Sequence, residues 1–361
     1  MIIGKWRFQP KAHEHELAAG SGDAPAAGSG DAPAAGSGDA PAAGSGDAPA
    51  AGYRDAPGAA HRRAPWTAVP PSALVLTGIF SVQFGAGLAA RLFAQVPPAA
   101  VTGLRLWTAA VVMAVAGARP LRAALSGLTR RHAWRDAAVV AGFGLTLAVM
   151  NFSIYQSFAR IPLGISVTVE FLGPLGVAVA SSRRLLDVLW VGLAGTGVAL
   201  LARGGTSVAG GHGEVTIGFA FALLAGLSWA AYILLSRATG QRFPGSTGLT
   251  IASLVAAVVI TPVGVAAGGT ALLRPGIILT GLGIGLLSSI IPYSLEMEAL
   301  RRIPPRVFGI WMSLEPAVAA LVGLILLGQA LAPREWLAIG CVMIACAGAA
   351  RGARGPQIPE A

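Results

Sequence analysis

"ARIPLGISVTVEFLGPLGVAVA", residues 159–180, and "RRIPPRVFGIWMSLEPAVAALVG", residues 301–323, follow one plan: Arg-Ile-Pro, an apolar run, then a glutamate and a proline. Aligning Arg160 with Arg302 sets an offset of 142 residues, at which Ile161 meets Ile303, Pro162 meets Pro304, Leu172 meets Leu314 and Pro174 meets Pro316. After a four-residue insertion, Trp190 of "DVLWVGLAG" meets Trp336 of "PREWLAIGC" at an offset of 146. The same element is written twice, so the chain reads as two related halves.

Hydrophobic residues make up 54% of the 361 and charged residues 12%, and 7 of the 16 carboxylates fall within the first 55 positions. A soluble globule carries about a quarter charged residues. From Pro71 onward apolar stretches of roughly 18 to 23 residues alternate with short arginine-bearing loops, the length that crosses about 30 Å of hydrocarbon. The expected spans are 72–94, 98–118, 136–158, 163–181, 186–203, 216–236, 247–268, 276–296, 306–328 and 334–351. The chain is therefore expected to be an all-α membrane protein with ten transmembrane helices.

The net charge of +10 does not mark a nucleic-acid partner, because no basic face with stacking aromatics and no recognition helix is visible. The arginines lie at the ends of spans. With the N-terminus inside, the inner segments hold 20 Lys and Arg against 5 outside, or 14 against 5 without the N-terminal tail. The positive-inside rule then places both termini in the cytoplasm of a multi-pass inner-membrane protein.

Residues 1–70 form a separate tail whose positions 20–51 are four copies of "GSGDAPAA". Lacking large apolar side chains, the tail is expected to be disordered. Its opening shows no signal-peptide pattern, and its "HEHE" reads as a solvated stretch rather than a metal site. Residues 71–205 and 206–351 are the expected five-helix repeats, followed by a short cytoplasmic C-terminus at 352–361. An odd number of helices per half makes the second half enter the membrane from the opposite side, the inverted-repeat arrangement of many secondary transporters, whose substrate site lies at the midplane between the repeats.

Proline in a helix interior removes one donor and frees the carbonyl four residues earlier. For Pro174 that is the carbonyl of Glu170 and for Pro316 that of Met312, so the fourth and ninth spans are expected to kink at matching depth. The glutamates are not equivalent: Glu170 aligns with Met312 and Gly173 with Glu315, one turn apart before the shared proline. A carboxylate at that depth costs several kcal/mol unless paired, solvated or protonated, which suits a proton carrier or an ammonium partner. A structural ion pair with a helix arginine is the plainer alternative. Arg105, the one arginine more than a turn inside the end of a span, either snorkels outward or meets a buried or substrate carboxylate.

Polar positions recur in both halves: Asn151 and Tyr155 share a face of the third span, Ser289 and Tyr293 a face of the eighth, and Asn151 aligns with Tyr293. Interhelical hydrogen bonding explains each singly. Cys341 and Cys346 read as small core residues, and the glycine patterns "GLAGTG" and "GLGIGL" as close helix packing rather than nucleotide loops. No Walker motif, zinc-ligand spacing or catalytic dyad is present, so neither a cofactor, a metal nor an enzymatic role is expected.

Residues 71–351 resemble the EamA-type permeases of the drug/metabolite transporter superfamily, most closely the threonine/homoserine exporter branch. The resemblance rests on "NFSIYQSFARIPLGISVTVEFLGPL" (151–175), "SSIIPYSLEMEALRRIP" (288–304), "FGIWMSLEPAVAALVGLILLGQAL" (308–331) and "PPAAVTGLRLWTAA" (97–110); where such proteins often have Glu after Leu-Gly, this chain has Gln329. The resemblance implies a ten-helix carrier with a central cavity that exports small amino acids in exchange for protons. The residues themselves imply a midplane of carboxylates, hydroxyls and an amide, suited to a small zwitterion. Glu170 and Glu315 are the candidates for ammonium binding or proton coupling, Arg105 for carboxylate contact, and Asn151, Tyr155, Ser289 and Tyr293 for the polar wall. Another metabolite or a cationic drug as cargo, and more remotely a membrane-embedded enzyme or sensor, are the alternatives. The sequence leaves the oligomeric state open.

Overall fold

The computed structural model describes residues 69–119, 121–122, 133–181, 186–203, 211–243 and 245–352. The octapeptide tail and the C-terminal extension, with the expectations attached to them, lie outside the described residues. Within the described residues the secondary structure is entirely helical. Among the described residues nine helical segments are long and apolar enough to cross a membrane, and a tenth, Leu186–Leu201, is apolar but shorter.

In chain order the helices are α1 (Pro71–Leu92), α2 (Pro98–Ala116), α3 (Ala133–Phe158), α4 (Leu163–Glu170), α5 (Leu172–Ala180), α6 (Leu186–Arg203), α7 (His212–Gly240), α8 (Thr247–Gly268), α9 (Pro275–Gly285), α10 (Ile291–Leu300), α11 (Pro305–Met312), α12 (Glu315–Leu327) and α13 (Pro333–Gly352). Helices α4 and α5 form the fourth span, α9 and α10 the eighth, and α11 and α12 the ninth.

Proline sets many of the starts. Three spans open on Pro-Pro, and the first proline of each pair takes an extended conformation: Pro70 at ψ 140, Pro97 at ψ 153 and Pro304 at ψ 146. A proline excludes the α conformation from the residue before it and is itself preorganised for the first helical position, where no donor is needed. The ninth span ends differently: Gly328 adopts φ 67, and the amides of Gly328 and Gln329 return to the carbonyls of Leu324 and Gly323. This left-handed cap satisfies the last carbonyls.

Large apolar side chains face outward along the helices, among them Val188, Leu227, Leu279 and Ile325 at 68–76% exposure. That surface is compatible with hydrocarbon and costly in water. The inside is built from small residues at crossings. A Cβ at Gly164 would meet the Ala320 backbone on α12 at 2.7 Å, and one at Gly144 would meet the Val255 side chain on α8 at 2.6 Å. Two of the glycine patterns behave likewise: Gly281 and Gly285 receive Leu104 and Thr108 of α2, and Gly197 receives the carbonyl of Ala338 on α13. Most of the packing runs between α1–α6 and α7–α13, with α3 on α7, α1 on α10, α2 on α8, α4 on α12 and α6 on α13.

The fourth span is interrupted at Phe171 and the ninth at Ser313 and Leu314. Phe171 and Ser313 occupy the same place at the 142-residue offset. Each break lies within four residues of its proline, as expected where a ring displaces the carbonyl one turn earlier. The carbonyl of Glu170 faces the Cα of Gly226 on α7, where a Cβ would stand 2.8 Å from it.

A third irregularity was not anticipated. Leu286–Ile290, between α9 and α10, is a π turn, with the amide of Ile291 reaching back to Leu286. Pro292 follows and has no amide to give. Two carbonyls thereby lose their helical donors and are claimed from other helices: Ser81 Oγ donates to Leu287 at 2.8 Å, and Arg105 Nη2 donates to Ser288 at 3.1 Å. Such π bulges concentrate at functional sites.

Candidate functional site

The broken helices converge on one cavity inside the bundle. It is lined from α1 by Gln83, from α2 by Arg105, from α3 by Asn151, from α4 by Glu170, from α10 by Tyr293 and Glu296, and from α12 by Glu315. The space open to the centre of a water molecule is about 110 Å³. Each water takes roughly 30 Å³ in the liquid, so several waters, or one small solute in their place, fit.

Arg105 turns inward rather than snorkelling to the surface. Its guanidinium stands 5.5 Å from the centre of the Tyr155 ring and donates to the freed carbonyl of Ser288. Among the described residues no carboxylate lies within ion-pair distance of it, so the charge is held by a carbonyl and an aromatic face instead. Its Nε is buried with no acceptor.

Glu315 begins α12 immediately after the break and is buried at 8% exposure. Gln83, from the middle of α1 and 3% exposed, donates its Nε2 to Glu315 Oε1 at 2.9 Å. The second oxygen of each group, Glu315 Oε2 and Gln83 Oε1, is buried without a donor. Together with Arg105 Nε and the hydroxyl of Tyr232 these make four buried polar atoms without partners on residues lining a single cavity. Buried polar atoms without partners are rare enough that such a cluster calls for a ligand or ordered water.

Of the residues singled out from the sequence, Glu170, Glu315, Arg105, Asn151 and Tyr293 line the cavity, whereas Tyr155 and Ser289 do not. Tyr155 is fully buried behind Arg105, its ring 5.9 Å from Phe93 and 5.7 Å from Phe158, where it supports the guanidinium. Ser289 is buried on the π turn without lining the cavity, whereas Ser288, one position earlier, lines it. Pro174 and Pro316 do not line the cavity; each follows the break in the span that carries a glutamate.

Sequence reading missed Gln83 and the membership of Glu296. Gln83 is the only amide or charged residue between Pro71 and Arg91, and that isolation in an apolar span was the available signal. The position equivalent to Glu315 in the first half is Gly173, where a Cβ would overlap the carbonyl of Gly226. No side chain fits there, so the first half carries its glutamate one turn earlier.

The two Arg-Ile-Pro elements make matching contacts. Arg160 Nη1 donates to Gln156 Oε1 at 2.8 Å on its own helix, and Arg160 Nε pairs at 3.1 Å with Glu214 in the first turn of α7. Arg302 Nε donates to Glu298 Oε1 at 2.9 Å on its own helix, and its Nη1 donates to the carbonyl of Val69, just ahead of α1. Gln156 and Glu298 are again equivalent at the 142-residue offset. Among the described residues no group of three or more His, Cys, Asp or Glu side chains is placed to hold a metal ion.

The EamA-like transporter family pattern matches residues 216–351. The threonine/homoserine exporter RhtA of Escherichia coli strain K12 is 41% identical over 278 residues, covering 77% of this chain and 90% of that protein. RhtA of Salmonella typhimurium strain LT2 is 39% identical over 291 residues, covering 80% and 95%. A solved crystal structure aligns with a TM-score of 0.52 at 21% identity, covering 77% of this chain and 96% of that one, a likeness of fold alone. With identity of this order across nearly the whole of these relatives, the chain belongs to the EamA-like transporter family, in the RhtA branch.

Proposed function

We propose that this protein exports threonine, homoserine or amino acids of the same size and charge across the inner membrane, in exchange for protons, by alternating access. The observation that carries the reading is the cavity. A guanidinium with a spare donor faces the same small space as three carboxylates and an amide with spare acceptors. That set complements a zwitterion at both ends, and so small a cavity suits threonine and homoserine better than a drug-sized cation, whose pockets run to roughly 300–1,000 Å³. The relatives named as threonine/homoserine exporters supply the substrate class.

The inverted-repeat reading is supported by the 142-residue offset, by the breaks at equivalent positions and by the packing, in which contacts come in exchanged pairs: α3 on α7 with α10 on α1, and α5 on α7 with α12 on α1. Arg160 and Arg302 lie at opposite ends of the bundle, each joining the end of one half to the first helix of the other. Those joints are where one end opens as the other closes. The excess of arginine in the loops supports cytoplasmic termini.

The test is counterflow with purified protein in proteoliposomes loaded with unlabelled threonine. Labelled threonine is expected to accumulate transiently, to be displaced by homoserine and to respond to an imposed pH gradient. Cationic drugs competing where threonine and homoserine do not would refute the assignment.

A further inference from the structure

The Gln83–Glu315 pair goes beyond binding, and the inference rests on the amino-acid/proton exchange proposed above. An ionised carboxylate only accepts hydrogen bonds, so the amide must turn Nε2 toward Glu315, as found at 2.9 Å. That orientation aims Gln83 Oε1 away from the carboxylate, and it is left buried and unpartnered together with Glu315 Oε2. Two adjacent acceptors, one of them charged, make a site for an ammonium group. A protonated Glu315 reverses the logic. Its new O–H needs an acceptor, and the Gln83 amide, already bonded to this carboxyl, offers one by flipping its oxygen toward the acid. The flip withdraws Gln83 Oε1 and presents Nε2, a donor, where the ammonium stood.

We propose that Gln83 is a further substrate-binding residue and the element that makes proton and ammonium mutually exclusive: its amide oxygen binds the substrate ammonium when Glu315 is ionised and the Glu315 proton when it is not. The balance is simple. A proton from the solution facing the cavity adds to Glu315, its hydrogen bond passes to Gln83 Oε1, and the amino acid leaves with all three ammonium protons. No other bond is made or broken. Gln83 lies on α1 and Glu315 on α12, which pack against each other. The other titratable or charged groups facing this space are Arg105 from α2, Glu170 from α4, Tyr232 from α7, and Tyr293 and Glu296 from α10; the last span contributes none of the lining residues. Arg105 carries its own spare donor and orients the substrate carboxylate away from the pair.

The experiment compares wild type with Gln83→Met and Gln83→Leu in the counterflow assay, using threonine and its 2-hydroxy analogue, 2,3-dihydroxybutanoate, which keeps the carboxylate and lacks the ammonium. A hydrogen bond to a charged group contributes about 1.5–3 kcal/mol, so selectivity for threonine over the analogue should fall by about tenfold to a hundredfold. The pH of half-maximal exchange should move, because Glu315 has lost the amide that follows its protonation. Should neither apolar variant be recovered folded, Gln83→Asn, which keeps the amide but draws it back by one methylene, is expected to shift both readouts the same way. Folded variants that retain wild-type selectivity and pH profile, whatever their maximal rate, would overturn the proposal. Failure of wild type to exchange threonine would instead overturn the substrate assignment.

Discussion

Gly173 separates the two halves chemically, and replacing it tests why. A Cβ at 173 would overlap the Gly226 carbonyl oxygen and lie 2.7 Å from its carbonyl carbon, whereas ordinary contact begins at 3.4 Å. Both neighbours are backbone, so no rotamer relieves the clash, and α5 and α7 must part by about 1 Å or more, the overlapped oxygen setting the distance. Overpacking of this kind costs about 1–3 kcal/mol. Gly176, three residues along the same helix, is the internal control, since a Cβ there meets nothing within 4 Å. Gly176→Ala should be neutral or gain up to about 1 kcal/mol from helix propensity. Denaturation of each purified variant in mixed micelles gives the comparison. Gly173→Ala should be the less stable by about 1–4 kcal/mol, combining the cost at one site with the gain at the other. Gly173→Glu, which would restore the symmetry of the glutamates, should not fold. Equal stability of the two alanine variants would refute the packing argument, and with it the explanation of why Glu170 stands one turn away from the place of Glu315.

Arg105→Lys should raise the threonine KM at least tenfold, since a single ammonium cannot hold the Ser288 carbonyl and a substrate carboxylate in the planar fork a guanidinium offers; an unchanged KM would remove Arg105 from the site. Gln329 Oε1 accepts from the Leu163 amide at the start of α4 at 2.9 Å. Gln329→Ala should therefore cost about 1 kcal/mol, while Gln329→Glu, which keeps an acceptor, should leave stability and transport unchanged. Glu214→Arg should break the contact with Arg160 and increase labelling of a Ser288→Cys variant by an impermeant thiol reagent added from the α7 N-terminal side, with Cys341 and Cys346 replaced beforehand; unchanged labelling would deny that contact a role in closure.

Most of the spans were legible because their signals are local: apolar length, arginine at the ends, and proline at the start or in the middle. The breaks at Phe171 and Ser313 followed from Pro174 and Pro316 for the same reason. The site was legible only where one residue announced itself, as Glu170, Glu315 and Arg105 do in apolar surroundings. Gln83 and Glu315 are 232 positions apart, and nothing in either span names the other. That Ser288 lines the cavity was not legible, because a helical wheel assumes 3.6 residues per turn and the π turn at Leu286–Ile290 changes that count. The inequality of the glutamates was visible in the alignment, but its cause lies on α7, at Gly226, outside either repeated segment.

The two Arg-Ile-Pro joints differ in where the arginine finds its counter-charge. Arg302 has Glu298 on its own helix and reaches the other half through a carbonyl, while Arg160 has a neutral Gln156 on its own helix and finds Glu214 across the division between the halves. Under the proposed alternating access, opening the Arg160 end breaks its ion pair with Glu214, a partly exposed contact of a kind that contributes about 0.2–1 kcal/mol. Salt screens such a pair, so the Arg160 joint is a latch that loosens as ionic strength rises.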